Sequence, residues 1–80
     1  MSIEIRIKAE EAKRLKNDPA FKGFMASVRE TQISVFMDSE ADDVSAREEA
    51  HAMVRALNQI EVNLDAAIAA ETLLDRKQRK

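Results

Sequence analysis

Glu48-Glu49-Ala50-His51 holds the one spacing in this chain that metal chemistry uses. A Glu-x-x-His pair supplies two ligands of the di-iron sites built inside helical bundles, and one copy per chain becomes two in a dimer. Helical phase argues against that use here. With a core face centred between Ala50 and Leu57, Glu48 lies about 160° from Ala50 and His51 about 100°, toward solvent or the flank. Glu30, the only acidic residue inside the preceding helix, has no second carboxylate to match it. The expectation is a solvated His51 in i, i+4 contact with Arg47 or Arg55, with no metal and no cofactor. The competing reading, a dimeric ferritin-like site, requires Glu48 and His51 to face a bundle interior.

Other chemistry finds less support. A single histidine would have to serve Ser27, Ser34, Ser39 or Ser45, and none of these sits in a nucleophile elbow. The carboxylate pairs Asp42-Asp43 and Glu48-Glu49 fall on a connection and a helix start, where they complement the helix dipole and stay hydrated. One glycine cannot make a phosphate-binding loop. No enzyme is expected.

The tail Arg76-Lys77-Gln78-Arg79-Lys80 is the strongest charge signal. Cations at a helix C-terminus interact well with its dipole and keep the end soluble. Arg76, Lys77, Arg79 and Lys80 also form a candidate polyanion contact, which makes a small nucleic-acid-associated factor the alternative function. No aromatic residue interleaves with them, so base stacking is unsupported. The acidic stretch 38–43 of another subunit is an equally good match for these cations. Charge is segregated along the chain: residues 1–16 carry net +2, residues 17–75 net −8, and the last five +4. An acidic body with basic ends is not the pattern of a general nucleic-acid binder.

The elements that must carry these residues are helices. One glycine, one proline and 35% charged residues leave little turn material, so a few long helices are expected rather than a β-rich fold. The absence of cysteine excludes disulfides and thiolate metal sites and fits a reducing cytoplasm. Glu4, Arg6 and Lys8 interrupt any signal-like apolar run, and no stretch approaches the ~20 apolar residues of a membrane span. A soluble cytoplasmic protein, with no membrane partner, is the expectation.

Asn17-Asp18-Pro19-Ala20-Phe21 is the sharpest punctuation: Asp18 caps a helix and Pro19 occupies its first position. Helices are therefore expected over about 3–16, 19–37 and 46–76. The last follows Ser45-Ala-Arg-Glu48, which reads as a capping box. Gly23, inside the second helix, is either a tolerated cost near a helix start or a close approach of another backbone. Thr31 to Met37 is rich in β-branched residues and is the weakest helical stretch.

The opening Ile3-Glu-Ile5-Arg-Ile7 alternates like a strand, but strong helix formers follow it and a lone two-stranded pairing is marginal. Read as helix, Ile5, Ala9 and Ala12 share one face while Ile3 and Ile7 point away. In the third helix Ala50, Met53, Leu57, Ile60, Leu64, Ala67 and Leu74 occupy heptad a and d positions, Glu71 interrupts them, and Val54 and Ile68 widen the stripe. That helix makes a rod of roughly 45 Å, whereas the second reaches only roughly 28 Å. Something else must therefore lie along Leu64 to Leu74. The first helix, apolar on two sides, is expected to pack on the hairpin with one face and on the uncovered end of a neighbouring chain's long helix with the other.

Four stretches, Ala9-Glu-Glu-Ala-Lys-Arg-Leu15, Asn17-Asp-Pro-Ala-Phe21, Arg47-Glu-Glu-Ala-His51 and Ala56-Leu-Asn-Gln-Ile60, set out an arrangement that covers most of the chain. It resembles small, mostly uncharacterised helical proteins encoded in the structural gene clusters of tailed bacteriophages and prophages. The resemblance implies a phage-borne accessory or structural protein that acts through assembly, and it carries over no catalytic or ligand residue. Together these readings give an all-α domain over 1–80, a helical hairpin with an additional N-terminal helix. It is expected to form a homo-oligomer or to dock on a larger phage structural protein. Candidate packing and interface residues are Ile3, Ile5, Ile7, Leu57, Ile60, Leu64, Ile68 and Leu74.

Overall fold

The computed structural model describes residues 2–78, and among these the chain forms three helices and no strand: α1 (Ser2–Asn17), α2 (Pro19–Asp38) and α3 (Val44–Gln78). Helix propensity wins at the N-terminus, and the alternating isoleucines lie within α1. Asp18 is the single residue between α1 and α2. Its carboxylate accepts from the N–H groups of Ala20 and Phe21 at 2.8 and 3.0 Å, with Pro19 at the first helical position. Its own N–H donates to Leu15 and its carbonyl accepts from Lys22, so backbone bonding almost continues across the break.

The β-branched end of α2 remains helical to Asp38, and the Thr31 hydroxyl donates to the Ser27 carbonyl one turn back at 3.0 Å. A Cβ at Gly23 would meet nothing within 4 Å, so among the described residues no other backbone approaches there. The start of α3 differs from the capping-box expectation. Asp43, not Ser45, is the cap: its carboxylate accepts from Ala46 N–H at 3.3 Å and its carbonyl from Arg47 N–H at 3.4 Å. The aspartate two residues earlier reaches the first turn and displaces the serine. Arg47 is then drawn onto the connection, donating to the carbonyls of Glu40 and Ala41 at 2.6 and 3.0 Å and to Ser39 Oγ at 3.4 Å. It is a clamp on the turn, and it lines one recess with His51, Phe36, Val44 and Glu48.

Both α1 and α2 run antiparallel to α3, one after the other. Arg6 pairs with Asp75, Lys13 with Glu71, Lys16 with Asp65 and Arg29 with Glu61, so positions rise on one arm as they fall on the other. The 16 and 20 residues of α1 and α2 together match the 35 of α3. This corrects the expectation of a neighbouring chain along Leu64 to Leu74: α1 of the same chain lies there. The one-residue break lets α1 continue along the rod, so the length of α2 alone was the wrong measure. The molecule is a hairpin with one broken arm, 59 × 23 × 16 Å, and its radius of gyration is 17.3 Å. About 12 Å is typical of a compact domain of this length.

A two-helix layer has a contact line rather than an enclosed centre. Among the described residues the buried apolar ones are Ala9, Ala12, Ala50 and Leu57, and no large side chain is fully buried. Three of the four are alanines, which let backbones approach closely but bury little area.

Candidate interface

The plane through the two arms has two unlike sides, as helical phase at about 100° per residue lays out. One side carries the polar bridges. Arg29 donates from its two terminal nitrogens to Asn58 at 2.9 Å and Glu61 at 3.0 Å. Arg6 bonds Asp75 at 2.7 Å and Gln78 at 3.1 Å, and Lys16 pairs with Asp65. The hydrogen bond to Asp75 raises the Arg6 pKa further above its ordinary value. An open groove of about 390 Å³ lies on this side, with Phe21, Met25, Ile33 and Leu64 among its lining and Arg29 and Glu61 at its rim.

Glu71, the interruption of the apolar stripe, is the one buried charged residue among those described. Lys13 Nζ bonds it at 2.6 Å and an Arg6 nitrogen lies 3.7 Å away, so two cations of α1 close over one carboxylate of α3. That bond raises the Lys13 pKa against a smaller opposing effect of lost hydration. Periodicity marked Glu71 only as a miss. A carboxylate on a buried stripe, opposite an N-terminal helix rich in lysine and arginine, was the available signal.

The other side is apolar over α2 and α3, whereas on α1 Leu15 stands there among Glu4, Lys8 and Glu11. Phe24, Val28 and Val35 of α2 and Met53 and Ile60 of α3 are exposed there, Phe24 by 74%. Ala67 and Leu74 continue the α3 row as half-buried residues. The candidate residues thus separate by role. Leu57 is buried, and Leu64 and Ile68 are half-buried beneath the arms. Ile60 and Leu74 stand on the apolar side, with half-buried Ile5 at its edge. Ile3 and Ile7 point away from α3, 68% and 52% exposed, and are not brought together with the others. Met53 lay on the heptad stripe read for the third helix; only the observed pairing of the arms shows it left over, together with Phe24, Val28 and Val35.

Arg76 and Lys77 are exposed in the last turn of α3, while Arg79 and Lys80 lie outside the described residues. Glu48 and His51 are exposed, and His51 lines a small recess with Phe36, Met37 and Val54. No group of three or more histidine, aspartate or glutamate side chains able to hold a metal occurs among the described residues, and no helix there is long and apolar enough to cross a membrane. Comparison with protein-family models, curated proteins and solved structures finds no match to this chain.

Proposed function

We propose that the chain is a non-enzymatic assembly protein whose folded unit is completed by further copies of itself. The observation that carries this reading is the area left uncovered. The accessible surface is 6328 Å², against about 4,850 Å² for a compact monomer of 9.0 kDa, an excess of about 1,500 Å². Two copies hiding that excess would bury about 3,000 Å², within the range of obligate homodimers. Small domains without disulfides or metals commonly gain their missing stability in this way. The resemblance of its helix and cap signatures to proteins of tailed-phage structural gene clusters supports an accessory role in particle assembly, with docking on a larger structural protein as a second use of the same surface.

The test is absolute mass by light scattering after size exclusion over a hundredfold range of concentration. A fixed multiple of 9.0 kDa is expected. A helical monomer throughout would sink the reading. Salt-sensitive DNA binding lost on removal of residues 76–80 would move the function to nucleic acid instead.

A further inference from the structure

The exposed flank of α3 contains a second heptad row beside the one that faces the arms. Met53, Ala56, Ile60, Asn63, Ala67, Ala70 and Leu74 recur at alternating spacings of three and four residues. Phase places this row about 90° from buried Leu57, on the apolar side of the layer. It is apolar except at Asn63, which stands midway along it. One step further in each direction the same spacing reaches Glu49 and Lys77, and Asn63 is equidistant from those two. The row therefore carries an acid at one end, a base at the other and a single amide at the centre.

The ends of the molecule repeat that asymmetry. The turn end holds Asp38, Glu40, Asp42, Asp43, Glu48 and Glu49 against Arg47 alone. Arg47 is turned onto backbone carbonyls rather than onto these carboxylates. At the opposite end Lys8, Arg76 and Lys77 are exposed against Glu4. Two copies packed parallel would set like charges together at both ends. Packed antiparallel, each acidic turn meets a basic end.

Building on the self-assembly reading, we propose that the partner is a second copy laid antiparallel on this face, α3 against α3, about a twofold axis through Asn63. Asn63 then meets its own counterpart, where a carboxamide can both donate and accept, and a lone asparagine in an apolar row fixes register. Ile60 lies opposite Ala67, Ala56 opposite Ala70, Met53 opposite Leu74, and Glu49 opposite Lys77 of the other copy. Ile60 faces a small side chain and Ala56 another, which allows close approach near the axis, while Met53 and Leu74 meet further out. The break at Asp18 sits at the level of Asp65, close to the same axis, so α2 of one copy covers α1 of the other and brings Phe24 and Leu15 under cover.

The chain has no cysteine, so single cysteines report the geometry in the full-length protein. A disulfide needs Cβ atoms about 4 Å apart. Under mild oxidation Asn63→Cys is expected to give a covalent dimer. Ala56→Cys and Ala70→Cys are each expected to stay uncrosslinked alone, because seven residues from the axis puts like positions about 21 Å apart. Mixed one to one, those two variants are expected to crosslink. Ala56→Cys and Ala70→Cys each linking to itself would overturn the orientation while leaving self-assembly standing. A dimeric mass with none of these links would overturn the face. A monomeric mass for the unaltered chain would remove the self-assembly reading as well. Glu49→Lys is expected to weaken the dimer several-fold and Glu49→Lys with Lys77→Glu to restore it; no restoration would count against the end pairing.

Discussion

The two halves of the hairpin solve the same packing problem differently. Along its distal half α3 is covered by α1, which buries Ala9 and Ala12 and sends Arg6, Lys13 and Lys16 across to carboxylates of α3. Along its proximal half α3 is covered by α2, which has no buried residue at all and leaves Phe24, Val28 and Val35 in the open. Small side chains and charge bridges join the first pair of helices, although Ile3, Ile7 and Leu15 stay exposed on its outer faces. Large apolar side chains on the second leave surface for another molecule to hide.

The sharpest way to break that contrast is at Ala9, which is 0% exposed. Ala9→Leu is expected to force α1 off the rod at a cost of about 1–3 kcal/mol. Hydrogen exchange should then rise across α1 and the distal part of α3 and change little around Ala50 and Leu57; uniform loss of protection would mean the halves fold as one unit. A smaller effect of opposite sign is expected in α2. Gly23→Ala adds a methyl group where nothing stands within 4 Å and should raise the stability of the proximal half by about 1 kcal/mol in thermal unfolding. A decrease would mean that another copy approaches that backbone.

The least effect comes from proton release. Lys13 has its pKa raised by the bond to Glu71, so the folded form holds the proton more tightly than the unfolded one. Its contribution is complete at neutral pH and fades as pH climbs through and beyond the ordinary lysine range. Alkaline titration should therefore loosen the distal half first, and Lys13→Met should flatten that part of the profile.

Much of this fold could be read from local chemistry. Asp18-Pro19 punctuates the arm because cap and proline act within three residues, and periodicity showed that Ala9, Ala12, Ala50 and Leu57 share buried faces. What sits upon those faces was not legible. Arg6 and Asp75 are 69 positions apart, and no local pattern announces their bond. The third helix's cap was misplaced because Ser45 and Asp43 both satisfy the local rule, and the Arg47 contacts favouring Asp43 are formed only by the folded turn. The open face was hidden for a related reason. Two interleaved heptad rows look like one wide stripe until the partner arm takes the first of them.

The Arg47 clamp has a bearing on how copies add. A hairpin whose turn straightens becomes one continuous rod, and rods of this kind exchange arms with their neighbours, a route that can run on into fibres. Straightening the segment 39–43 would strip the guanidinium of two carbonyls and a hydroxyl at once. By holding the bend shut, one arginine would favour the proposed assembly by faces, which closes, over assembly by exchanged arms, which need not.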